Sequence, residues 1–107
     1  VEPDEVVTVG PLTIDVSAHE VRVNGTTLRL TPTEFRVLET LARRPGRVFP
    51  RNEIVERVFG NAYPGLDRSI DTHLSNLRQK LNDTPAAGLI ATVHGVGYKL
   101  QARDDEK

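Results

Sequence analysis

The chain has 107 residues, enough for one domain and too few for two ordinary ones. It has no Cys, which excludes disulfides and thiolate metal sites, and no apolar run approaches the ~20 residues of a membrane span. The formal net charge of −1 hides an asymmetry: Glu2, Asp4 and Glu5 crowd one end and Asp104, Asp105 and Glu106 the other, while residues 6–103 hold 13 bases and 9 acids. A mildly basic body with acidic ends permits a polyanionic partner. No signal peptide shows at the start, and Val1 in place of Met reads as a piece of a longer protein.

Residues 6 to 30 alternate apolar and polar and turn often. VVTV, LTID, EVRV and TLRL are short strand-like runs. Asn24-Gly25 favours the two positive φ values of a type I′ hairpin turn, and Gly10-Pro11 marks another turn. The reading is four short antiparallel strands. Helical spacing follows. Thr31-Pro32-Thr33-Glu34 has the form of a capping box with Pro at the first helical position, and Leu30 and Phe35 stand where a hydrophobic staple belongs. Phe35, Leu38, Leu41 and Ala42 make its apolar stripe. Arg43 and Arg44 suit the negative end of the helix, and Pro45-Gly46 stops it. Arg47-Val48-Phe49 reads as an extended link. A second helix runs from about Arg51 to Phe59 and ends at Gly60. Residues 60–67 form a loop whose Asp67 or Ser69 suits the cap of a third helix, 68–82. Residues 90–101 then form a hairpin. Four strands, three helices and a terminal hairpin describe an α+β fold, a winged helix-turn-helix. Residues 1–5 read as a linker remnant, 6–103 as the domain and 104–107 as an acidic tail.

The third helix carries the chemistry. At roughly 100° per residue, Ile70, Leu74, Leu77 and Leu81 gather on one side. Arg68, Thr72, Ser75, Asn76 and Gln79 lie opposite, between roughly 140° and 240°. Asn and Gln pair bidentately with adenine, and Ser and Thr contact several bases. Cations at the margins, such as Lys80 and Arg78, suit phosphates. A plain solvated face is the competing reading. In the hairpin, Gly95 and Gly97 suit a tight turn that brings backbone close to a surface, and Thr92 and His94 share a face.

These segments resemble the effector domain of OmpR/PhoB-type response regulators. The resemblance spans roughly residues 6 to 102. It is sharpest in LTPTEFRVLETLARRPGRVFPR, RSIDTHLSNLRQKL and TVHGVGYKL. Arg68, Ile70, Asp71, His73, Leu77 and Arg78 meet the family's third-helix pattern. The resemblance implies a bacterial, cytoplasmic transcription regulator with double-stranded DNA as partner and no cofactor. A receiver domain would precede this chain, and its phosphorylation would promote dimerisation. Two effector domains would sit head to tail on direct-repeat half-sites. The third helix would enter the major groove and the hairpin would touch the minor groove. The loop Asn61, Ala62, Tyr63, Pro64, Gly65, Leu66 and Asp67 would face RNA polymerase. Position by position, it implies phosphate contacts from Arg51, Arg68, His73, Arg78 and Tyr98, and base contacts from Asn76 and Thr92. The helix face itself adds Thr72, Ser75 and Gln79 as base readers and Lys80 as a phosphate contact. His94, Gly95 and Gly97 make the wing tip. Three positions depart from the family pattern: His94 replaces an Arg, Pro50 a Ser or Thr cap, and Phe59 a Trp.

Rival functions fit the residues less well. Ser69 and His73 share a helix side at i,i+4, but Asp71 points elsewhere, so no triad assembles and an enzyme is not expected. A protein-binding winged helix needs an exposed apolar or aromatic anchor, and aromatics make up only 5% of the chain. A one-component activator would use the same domain behind a different sensor.

Overall fold

The structure is a computed structural model that describes residues 5–60 and 67–101, with side chains in the third helix described from Ile70 onward. The first four strands are β1 (Val6–Val9), β2 (Leu12–Asp15), β3 (Glu20–Val23) and β4 (Thr26–Leu28). They form an antiparallel meander in sequence order. Alternation sets its faces: Leu12, Ile14, Val21 and Val23 point into the core and are buried. Asn24 and Gly25 both take positive φ, 50° and 86°, as a type I′ turn requires. His19, also at positive φ, closes the preceding turn and stacks on Phe35 with ring centroids 4.2 Å apart. That contact fastens the sheet to the first helix.

Helix α1 (Pro32–Ala42) begins with the capping box read from the sequence. Thr31 Oγ1 accepts from the Glu34 amide at 3.1 Å, and the Thr31 amide donates to Glu34 Oε1 at 3.0 Å. Phe35, Leu38, Leu41 and Ala42 are buried as expected, and so are Val37 and Glu34. Arg43 is the C-cap and pairs with Glu39 and Glu5.

The expected extended link is in part a strand. β5 (Phe49–Pro50) pairs with β7 (Gly97–Leu100), which also pairs with β6 (Ile90–Val93), giving the order β5-β7-β6. Pro50 is tolerated because β5 is an edge strand. It then serves as N-cap of α2 (Arg51–Phe59) with no side-chain cap bond, as a proline there dictates. Helix α3 (Asp67–Asn82) packs against α1 and α2. Its Ile70, Leu74, Leu77 and Leu81 join the core with Phe49, Ile54, Leu89 and Leu100.

Candidate nucleic-acid interface

Helix α3 separates by face as its periodicity dictates. The residues opposite the leucines, Thr72, Ser75, Asn76 and Gln79, are all exposed. Asp71, His73, Arg78 and Lys80, at the borders, are half-buried. Among the described residues none of the four exposed side chains makes an internal hydrogen bond, whereas Asp71, Arg78 and Lys80 all do.

Those border bonds tie the face to its neighbours. Asp71 Oδ1 accepts from Arg51 Nε at 2.8 Å and from the Tyr98 hydroxyl at 2.7 Å. One carboxylate oxygen therefore joins the start of α2, the N-terminal part of α3 and strand β7. Burial pushes the Asp71 carboxyl up, but hydrogen bonds from Arg51 and Tyr98 outweigh it and hold its pKa below the ordinary aspartate value. Burial and the Asp71 carboxylate push the Tyr98 hydroxyl the other way. Asp71 and Arg78, both on α3, do not pair with each other. Arg78 turns to the hairpin instead, donating to the Ile90 carbonyl at 3.2 Å and to Thr92 Oγ1 at 2.5 Å. Its guanidinium carbon also lies 5.6 Å from the Tyr98 ring centroid, with that of Arg51 at 5.8 Å. Tyr98 is thus a buried ring beneath two guanidinium groups, with its hydroxyl at the rim.

The cations differ in how far their charge is cancelled. Arg51 is paired with Asp71 through Nε, which leaves the outer fork of an exposed guanidinium for other acceptors. Lys80 Nζ lies 2.6 Å from Glu34 Oε1. Arg78 meets only neutral acceptors among the described residues, so its charge is uncompensated. His73 stands beside Phe59, ring centroids 6.3 Å apart, so the residue at the usual Trp position packs against this helix.

The wing tip needs one correction. The turn is His94-Gly95-Val96, all exposed, closed by the Val96 amide on the Val93 carbonyl at 2.9 Å, with Gly95 at φ 80°. Gly97 is not at the tip. It is buried in β7 against the backbone of Phe49 and Pro50, where a Cβ would overlap the Phe49 carbonyl. The tip instead presents Val96, 51% exposed, which sequence reasoning missed. The expected polymerase-facing residues Asn61, Ala62, Tyr63, Pro64, Gly65 and Leu66 lie outside the described residues, as do the side chains of Asp67, Arg68 and Ser69.

Elsewhere, a groove of about 1030 Å³ is lined by Arg36, Glu39, Arg43, Arg44, Arg47 and Arg57 together with His19, Thr40 and Phe49. It contains no residue of α3 or the hairpin. Arg43, Arg47 and Arg57 already pair with carboxylates. Among the described residues no group of His, Asp and Glu is placed to hold a metal ion, and no helix is long and apolar enough to cross a membrane.

Comparison with known proteins adds a second line. A family model for "Transcriptional regulatory protein, C terminal" matches residues 25–100. The sensory transduction protein RegX3 of Mycobacterium tuberculosis is 42% identical over 99 residues, which covers 92% of this chain and 44% of RegX3. The DNA-binding response regulator MtrA of Mycolicibacterium smegmatis is 41% identical over 99 residues, covering 92% and 43%. The chain thus spans less than half the length of these curated relatives. The crystal structure of the Klebsiella pneumoniae RstA DNA-binding domain in complex with the RstA box matches with TM-score 0.81 at 32% identity, covering 92% of this chain and 99% of that one.

Proposed function

Because the chain belongs to the OmpR/PhoB-type family of C-terminal domains of transcriptional regulators, we propose that it binds double-stranded DNA sequence-specifically as the output domain of a two-component response regulator. The observation that carries this reading is the free polar face of α3. Four short polar side chains are exposed side by side with their donors and acceptors unused inside the molecule, the state a base-reading surface needs before it meets DNA. The described part of that face has no large apolar anchor for a protein partner; the exposed large hydrophobics, Val6 and Val96, lie on other elements.

In this reading α3 enters the major groove, and Thr72, Ser75, Asn76 and Gln79 read base edges. The turn 94–96 approaches the adjacent minor groove, with Thr92 beside it. Arg51, Arg68, His73 and Arg78 meet phosphates. Tyr98 donates its hydroxyl hydrogen bond to Asp71, so its part is to orient Arg51 and Arg78. The length of the relatives leaves room for a preceding receiver domain, whose phosphorylation would pair two copies head to tail on direct repeats. The loop 61–67 would face RNA polymerase.

Salt and substitution test the reading together. On a duplex selected by the chain from a random pool, affinity falls steeply with salt, each neutralised phosphate contributing about −0.9 to the log–log slope. Asn76→Ala costs about 1–3 kcal/mol on that duplex and relaxes preference at one base pair. A flat salt response would remove the DNA-binding reading, and equal loss on selected and scrambled duplexes would remove base reading by Asn76.

A further inference from the structure

We infer that Lys80 is a positioning residue that pins the reading helix to α1, with its charge directed at Glu34 and not at a phosphate. The inference rests on the DNA-binding reading above.

Three observations converge on it. Glu34 is 2% exposed and is the one buried charged side chain among the described residues. A carboxylate in that position needs both a cation and hydrogen bonds to remain ionised. Its Oε1 has both: the Thr31 amide at 3.0 Å and Lys80 Nζ at 2.6 Å. Burial pushes the Glu34 carboxyl up, but the Lys80 and Thr31 bonds outweigh it and leave its pKa below the ordinary value. The same oxygen that closes the cap of α1 therefore holds α3. The second observation is angular. Lys80 sits at roughly 280° on the helix, outside the 140–240° face and toward α1. The third is the contrast with Arg78, which lies on the opposite border and has no described carboxylate to cancel its charge. The two cations flanking the face are chemically unlike. Arg78 keeps a full charge for phosphate, whereas Lys80 forms a close ion pair inside the protein. The Glu34–Lys80 link joins residues 46 apart in sequence and fixes the pitch of α3 against α1. On that pitch depends which base edges Asn76 and Gln79 reach.

The test compares salt slopes on the duplex selected by the unaltered chain from random DNA. Lys80→Met is expected to leave the slope unchanged, while the affinity ratio of selected to scrambled duplex falls about tenfold. Arg78→Met is expected to make the slope shallower by about 0.9, one phosphate's share. Glu34→Gln removes the partner and frees the ammonium, so the slope is expected to steepen by about the same amount. If Lys80→Met itself makes the slope shallower by about 0.9, Lys80 meets a phosphate and the inference is overturned. An unchanged slope with an unchanged affinity ratio also overturns it, because the link then positions nothing. Should either single variant fail to fold, the double variant Lys80→Met with Glu34→Gln removes both charges and leaves no buried carboxylate unpaired. It is expected to keep the slope and lose the discrimination; a shallower slope would overturn the inference in that variant too. A flat slope in the unaltered chain would instead remove the DNA reading itself, a distinguishable result.

Discussion

Gly97 and Gly95 look alike in the sequence and have different tasks in the molecule. Gly95 takes a left-handed φ at the tip of the wing. Gly97 lies flat in β7, and its missing Cβ lets the backbone of Phe49 and Pro50 close against it. Gly97→Ala is expected to destabilise the fold by about 1–3 kcal/mol, the cost of overpacking, which thermal unfolding would read as a clear fall in Tm. An unchanged Tm would mean β5 yields without penalty. The local pattern was legible here and the long-range partner was not: nothing near residue 97 names Phe49. Asp71 teaches the same lesson. Its partners, Arg51 and Tyr98, come from other elements, and nothing near residue 71 names them. His94, by contrast, is where the sequence placed it, exposed at the turn. His94→Arg is expected to tighten binding to the selected duplex severalfold by placing a full charge at the minor groove; no change would mean the wing tip stays off the DNA.

At the scale of elements, helices were the most readable. The capping box of α1 and the leucine side of α3 are local patterns with one solution each, and both stand where the sequence put them. Strand β5 was not readable, because two residues ending in Pro carry no strand signal and pair only once β7 is in place. Glu34 was half legible. Its reach back to Thr31 follows from spacing, but its burial and its bond to Lys80 depend on where α3 packs. That bond has a consequence in acid. The folded pKa of Glu34 lies below its ordinary 4.5, so the unfolded chain binds the proton first as pH falls. The stabilisation is therefore full above about pH 4.5 and is lost as pH drops through the lower folded value. Glu34→Gln is expected to show a smaller fall in Tm between about pH 5 and pH 3 than the unaltered chain. An identical acid limb would mean that Glu34 contributes nothing to it.

At the scale of the whole molecule, charge separates by region. A basic body between acidic ends is visible in the sequence. The placement of the cations around α3 is not, because it depends on which carboxylates fold back onto them. In the proposed reading, long-range attraction to DNA would follow the net charge, whereas base reading would follow the face of α3. Removing residues 104–107 is expected to raise affinity for any duplex at low salt, with the gain vanishing as salt shortens the range of the field. A gain confined to the selected sequence would contradict an electrostatic origin. The most direct measurement of the central claim is a titration of the isotopically labelled chain with the selected duplex, followed amide by amide by NMR. The shifts are expected to concentrate at residues 72–79, at Arg51 and along 92–96, with strands β1 to β4 unmoved. Shifts gathered on those strands or around the arginine-lined groove of α1, with α3 silent, would contradict that claim.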